Sequence, residues 1–287
     1  MKTKHFIYKV AINLYLSITA ITTSLNASQN PTEPLCTLAW SNFGELSDAY
    51  AAGRHEHPIA AFDLLKKYVN ENALTGDLGS GTGISTRQLV AQGFTNVIGL
   101  DRDELMLQHA LAVNTPEVSI NYVKGDVTNG LPFADGELEL VTAFSAIHWF
   151  ADPASIKEIG RIIKSKGYFF SVKGSGGSSG TIKVYTTKLI EDSIGSQIPS
   201  KQVDPAALFK AIGFKVIVNE EVPYIEYYTK QQALDNMQSN SMWNFIKDSP
   251  YKNEVLAKLN AYLDTLVNAQ GLIKQEGKAK VVLVQKL

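Results

Sequence analysis

From Trp40 onward, short apolar runs alternate with stretches whose apolar positions recur at helical spacing. That alternation is the pattern of βαβ units around a parallel sheet. Ile59–Val69 is predicted to be a helix, with Asp63, Lys66 and Lys67 on its polar side. Ala73–Leu78 reads as a strand running into a glycine cluster, and Ile84–Gln92 as the helix after it, ended by Gly93. Asn96–Leu100, Val118–Val123 and Leu138–Phe144 read as further strands, with a helix over Asp103–Val113. Pro153–Lys164 is predicted helical, Asp152 capping it and Pro153 suiting its first turn. Tyr168–Lys173 reads as a fifth strand, and Gly174–Gly180 as a mobile Gly/Ser loop. The last third is expected to hold a strand at Phe214–Val218 and another near Tyr224–Tyr228. Helices around Gln231–Phe245 and Asn253–Ala269 and a final strand, Ala279–Gln285, complete it. No internal repeat is visible, so the expectation is one doubly wound α/β domain with extra helices inserted late.

The chain before Trp40 differs in kind. Lys2, Lys4 and His5 precede an apolar run, Val10–Ile21, and Ala27 fits the end of a cleavage site. This is the three-part shape of a secretory signal, weakened by Leu25, which is large for its place, and by Lys9 and Asn13. A frayed extension is the alternative, and the run is too short for a stable membrane span. Asn30–Pro34 reads as a linker. The domain division expected is therefore a leader and linker at 1–39 and one domain at 40–287.

Composition narrows the function. With 45% hydrophobic and 19% charged residues, the chain is neither disordered nor collagen-like. Lys plus Arg total 27 against 28 Asp plus Glu, a net charge of −1 with no basic stripe, which argues against a nucleic-acid partner. Cys36 is the single cysteine, so neither an internal disulfide framework nor a cysteine-built zinc site is available. His55 and His57 have no further His or Cys at ligand spacing, so no metal is expected.

Asp77-Leu-Gly-Ser-Gly-Thr-Gly83 follows the first strand and opens a helix, at the strand end where open α/β sheets bind ligands. A P-loop needs Gly-Lys-Ser/Thr, whereas Ile84 follows Gly83; a dinucleotide fingerprint from Gly79 needs glycine where Ile84 stands. An acidic residue ahead of the glycines disfavours a pyrophosphate and suits a ligand carrying an ammonium and a sulfonium. Asp101, ending the second strand, is placed to accept from two ribose hydroxyls, and Asp126, after the third, from an adenine amino group.

Together these segments resemble the class I S-adenosylmethionine-dependent methyltransferases, type 11 branch. Asp77–Gly83 is similar to the first motif, Val97–Asp101 with Met106 to the ribose-binding motif, and Gly125-Asp-Val127 with Leu131-Pro-Phe133 to the adenine-binding motif. Leu140–Phe150 resembles the fourth strand with its active-site edge, and Arg161–Lys164 the turn before the fifth, although Ser165-Lys-Gly167 replaces Pro-Gly-Gly and Glu139 an aspartate. Tyr50–Pro58 is similar to the entry segment that covers the cofactor, and His148-Trp149 most resembles trans-aconitate methyltransferase-like members. The resemblance implies a Rossmann-like seven-stranded sheet, mostly parallel with an antiparallel last strand. It also implies a cofactor core at 73–173 and S-adenosyl-L-methionine as cofactor, and the late helical insertion, about 229–272, is expected to form a lid over the acceptor. Its contacts would be Tyr50, Arg54, Asp77, Gly79, Ser80, Gly81, Gly83, Asp101, Arg102, Met106, Asp126, Val127 and Phe144.

The expected activity is methyl transfer to a small-molecule acceptor, on oxygen or carbon, a carboxylate among them. His148 and Trp149 would line the acceptor, and His148 is the candidate general base. An anionic acceptor would need no base. A non-catalytic cofactor-binding partner is the alternative. Because the cofactor is a cytoplasmic metabolite, a cytoplasmic catalytic domain is favoured over an exported one.

Overall fold

Strand β1 (Thr75–Leu78) is buried along its whole length, which places the glycine cluster after it at the centre of the sheet rather than at an edge. The computed structural model describes residues 47–115, 119–174, 180–199 and 202–287. The predicted leader, the linker and most of the Gly/Ser loop lie outside them. The other strands are β2 (Val97–Asp101), β3 (Asn121–Lys124), β4 (Leu138–Phe144), β5 (Ile163–Lys173), β6 (Phe214–Thr229) and β7 (Leu272–Lys286). They form one seven-stranded sheet in the order β3-β2-β1-β4-β5-β7-β6, with β7 antiparallel to both neighbours. The helices are α1 (Ser47–Gly53), α2 (Ile59–Leu65), α3 (Ile84–Ala91), α4 (Glu104–Ala112), α5 (Pro153–Ile162), α6 (Thr181–Ile194), α7 (Pro205–Ala211), α8 (Lys230–Gln238) and α9 (Lys252–Asp264).

Period-two alternation in the central strands feeds two cores. Val141, Ala143, Phe169, Val282 and Val284 face one side, where Ile156 and Ile159 of α5 and Phe209 of α7 cover them. Leu140, Phe144, Phe170, Val281 and Leu283 face the other, under Phe62 and Leu65 of α2 and Leu89 of α3. Asp103 and Asp152 cap α4 and α5 through paired backbone N–H bonds, and Pro153 stands in the first turn of α5 as the sequence indicates.

The C-terminal third departs from the expectation. Phe214–Val218 and Tyr224–Tyr228 are parts of one strand, β6, which pairs with β7 down to Thr229↔Leu272. Pro223 is tolerated because β6 is the edge strand. The predicted helix Gln231–Phe245 breaks into α8 and a 3₁₀ turn, Ser241–Phe245, and the next helix stops at Asp264. Helices α1, α6 and α7 were not foreseen. Beyond the sheet, the ends of β6 and β7 carry a third core of Tyr228 and Ile273 packed with α6, α8 and α9. Trp243 belongs to this core, whereas Tyr227 is exposed.

The altered turn before β5 is a bulge. Leu138 pairs with Ile163 but Leu140 pairs with Tyr168, so the residues between loop out, with Lys166 at φ 65°. Glu139 serves this junction, accepting from the Leu74 N–H at 3.0 Å and pairing with Lys164. Among the described residues, no helix is long and apolar enough to cross a membrane.

Candidate active site

A cavity of about 400 Å³ opens at the carboxyl ends of β1, β2, β4 and β5. Its floor is the glycine turn. Gly79 and Gly81 both have positive φ, 68° and 53°. At Gly79 a Cβ would come within 2.6 Å of the Ala146 Cβ. At Gly81 the nearest atom to an added Cβ is Tyr50 Cε1, at 3.9 Å, so the space over this glycine is open. Gly83, at φ 80°, starts α3 and packs against Tyr122, away from the cavity.

Asp101 sits where β2 ends, with both carboxylate oxygens gripped from behind. The Gly81 N–H donates to Oδ2 at 2.8 Å and the Asp103 N–H to Oδ1 at 2.9 Å. Burial pushes its carboxyl up, and those two amides oppose the shift. The group lines the cavity with lone pairs to spare, the arrangement that two vicinal hydroxyls need. Met106, Val127 and Leu131 form an apolar wall beside it, suited to a flat ring. Arg102 lines the same region.

Another wall comes from α1 and the carboxyl end of β4. Arg54 and Tyr50 reach the cavity, the guanidinium 4.9 Å from the Tyr50 ring centre and its Nε donating to Ser239 Oγ at 3.1 Å. Phe144, Ser145, His148 and Trp149 line the β4 end, the last two from a 3₁₀ turn, Ile147–Trp149. Their rings meet at 4.5 Å. Asn240, Ser241 and Met242 bring the late helical region to the same space.

Four expected residues do not reach this cavity. Asp77 is fully buried and takes three hydroxyls at 2.7 Å: Ser85 and Thr86 on Oδ2 and Thr142 on Oδ1. Burial pushes its carboxyl up to about 6 against those donors. It ties β1 to α3 and β4 rather than facing a ligand. Asp126 turns back to cap its own short turn, accepting from the Thr128 N–H and hydroxyl and from Asn129. Ser80 lines only a small neighbouring cavity with His55 and His57, and Gly83 lines neither. Within that small cavity His57 is held by Gln88, which accepts from its N–H and donates to its carbonyl. Sequence reading missed Ser145, Lys173, Lys183 and Met242; a lysine ending a strand and one on an unforeseen helix carry no motif. No group of metal-ligating side chains occurs among the described residues.

The open backbone at Gly81, the anchored Asp101 and the apolar wall fit an adenosine-bearing cofactor, with Arg54 available to a carboxylate on it. Comparison with known proteins agrees. Residues 76–171 match the Methyltransf_11 family, described as a methyltransferase domain. The chain is 25% identical to the uncharacterized methyltransferase C25B8.09 of Schizosaccharomyces pombe over 77% of its own length and 86% of that protein. It is 30% identical to the methyltransferase-like C25B8.10 of the same yeast over 41% of its length, spanning 45%, about half, of that relative. Its fold is shared with the YcgJ protein of Bacillus subtilis, whose crystal structure superposes with a TM-score of 0.51 at 19% identity, covering 80% of this chain and 99% of the other. Residues 76–171 are thus a methyltransferase domain of the S-adenosylmethionine-dependent kind, set in a Rossmann-like seven-stranded sheet.

Proposed function

We propose that the protein transfers a methyl group from S-adenosylmethionine to a small-molecule acceptor, on oxygen or carbon, at the His148–Trp149 end of the cavity. The observation that carries this reading is one continuous cavity joining the Asp101 carboxylate to those aromatic side chains. The cofactor supplies a methyl already activated on a sulfonium. The protein's part is to bind and align, which contributes roughly 7–11 kcal/mol in well-oriented reactions. Asp101 holds the ribose, Met106, Val127 and Leu131 the adenine, and Arg54 the carboxylate of the amino-acid end. Phe144, His148 and Trp149 shape the acceptor's space and exclude water. With a carboxylate acceptor, His148 is a wall and no proton is moved by the protein. With a neutral hydroxyl or carbon acid, its ring is the base in reach.

The domain runs over 40–287, with a cofactor core at 73–173, a helical cover at about 229–272 and a leader before it. The catalytic domain works in the cytoplasm, where its cofactor is made. Calorimetry with S-adenosylhomocysteine, followed by incubation with cofactor and a metabolite extract and identification of products by mass, tests the reading. Cofactor binding with a product heavier by one methylene is expected. Binding without any methylated product would favour a non-catalytic partner, and absence of binding would end the proposal.

A further inference from the structure

The cavity changes sign along its length. Asp101 and Asp103 line it at the β2 edge; at the β5 edge it is lined by Lys173, the last residue of β5, and Lys183, in the first turn of α6. Strands β1 and β4 lie between those edges, so they stand roughly 14 Å apart at three strand spacings. Arg54 lines the same space but spends its Nε on Ser239. Neither lysine forms an ion pair or side-chain hydrogen bond among the described residues. Burial, then the Arg54 and Lys173 cations, pull Lys183 down to about 8, as expected where positive charges crowd without a counterion.

Ser145 adds a donor at this edge. Its N–H donates to the Val172 carbonyl at 2.7 Å, which seats it beside Lys173 across the β4–β5 pair. It holds φ at 51°, a left-handed backbone that a non-glycine residue keeps only where its surroundings impose it. Its hydroxyl is buried without a hydrogen-bond partner among the described residues, while the residue lines the cavity. A buried hydroxyl and two ammonium groups with no ion pair among the described residues border one space, a donor set that an oxyanion can accept from.

We infer that Lys173, Lys183 and the Ser145 hydroxyl form a subsite for an oxyanion group of the methyl acceptor, a carboxylate or a phosphate. This rests on the methyl-transfer reading. The group bound there is an anchor rather than the atom methylated, because oxygens engaged by ammonium donors are poor nucleophiles. An acceptor therefore carries its nucleophile and this anion at separate positions.

Calorimetry on the full-length protein saturated with S-adenosylhomocysteine tests it, with citrate, succinate, inorganic phosphate and, as a cationic control, choline as probes. At least one oxyanion should bind at millimolar concentration and choline should not. Binding of the carboxylates alone would assign a carboxylate, and of phosphate alone a phosphate ester. Lys183→Met and Lys173→Met should each weaken that oxyanion by about tenfold, while Lys183→Arg retains it and S-adenosylhomocysteine affinity changes by less than about threefold. Lys173 is exposed, so its variant carries the test if Lys183→Met does not fold. Equal oxyanion affinity in wild type and Lys173→Met, or no binding of any of the three anions, would overturn the inference. Failure of S-adenosylhomocysteine to bind would instead count against the methyl-transfer reading, and the anion titration would then be read on the protein alone.

Discussion

The buried Asp77 carboxyl and the buried His57 ring are shifted so that their effects on stability have opposite slopes with pH. Asp77 is pushed up to about 6, so the folded state holds a proton there that the unfolded chain loses near 4; its effect is a stability that falls as pH rises from about 4 to 6. His57 is pulled down to about 3 by burial and by Arg54. Below about 6.5 the unfolded chain takes up a proton that folded His57 refuses, so stability rises with pH from about 3 to 6.5. The two slopes oppose each other in the wild type. In Asp77→Asn the His57 slope is left less opposed, and the melting temperature should climb more steeply between pH 4 and 6 than in the wild type. Above pH 6 the variant also escapes a penalty of up to about 3 kcal/mol, less the value of any hydrogen bond it loses. Parallel pH profiles for the two proteins would show that Asp77 carries no such proton. Asp101→Ala addresses the cofactor directly: S-adenosylhomocysteine should bind about ten- to a hundredfold more weakly, with the variant folded. Unchanged affinity would remove Asp101 from the site. For His148→Asn, an anionic acceptor predicts a turnover within a few-fold of wild type, a raised acceptor KM and a flat pH–rate profile. A loss of roughly 10²–10⁴-fold with a rate rising through the histidine range would instead make it the base.

Among the elements, α1 and α8 form the contact that positions Arg54 and Tyr50. A Cβ at Gly53 would lie 2.2 Å from the Asn236 backbone nitrogen and 2.4 Å from the Asp235 carbonyl carbon, so only glycine allows this approach. Asn236 Nδ2 donates to the Gly53 carbonyl at 2.9 Å, and Ser239 after α8 accepts from Arg54. Gly53→Ala should displace α1 and weaken S-adenosylhomocysteine at least about tenfold, with a stability loss of about 1–3 kcal/mol. Full affinity in that variant would show that α1 is not held by α8 for binding. Elements with both faces buried were legible in the sequence: β1, β2, β4 and the core of β5 lie within a few residues of where the apolar runs put them. The long edge strand was legible only as two pieces, Phe214–Val218 and Tyr224–Tyr228, because the exposed Asn219, Glu220 and Glu221 and then Pro223 interrupt the apolar pattern between them. Helix α6 escaped notice because its buried stripe, Ile182, Thr186 and Ile190, includes a threonine that satisfies itself on the Ile182 carbonyl.

On the scale of the whole molecule, the proposed function divides the cavity into a cofactor half, around the ends of β1 and β2, and an acceptor half, at the ends of β4 and β5. Both halves belong to one cavity, so ligand binding should tighten the whole domain. S-adenosylhomocysteine at a hundredfold excess over its Kd adds about 2.7 kcal/mol, which for a domain of this size raises the melting temperature by roughly 5–10 °C. A melting temperature independent of the ligand would mean that the folded state has no such site.

Residue order alone was enough for the doubly wound sheet, the turn at its centre and the Asp101 end of the cavity. Each depends on local chemistry: glycines where the backbone must turn left-handed, an acid where a strand stops, apolar runs where both faces are covered. Whether a carboxylate at a strand end faces a ligand or the protein was decided elsewhere. Asp77 and Asp126 occupy motif positions as regular as that of Asp101, yet Thr142, 65 residues away, helps bury the first and a local turn claims the second. Lys173, the last residue of β5, and Lys183, in the first turn of α6, likewise come to line one cavity without any motif that marks them. Long-range packing sets which polar groups are already satisfied and which remain for a ligand, and no local pattern carries that information.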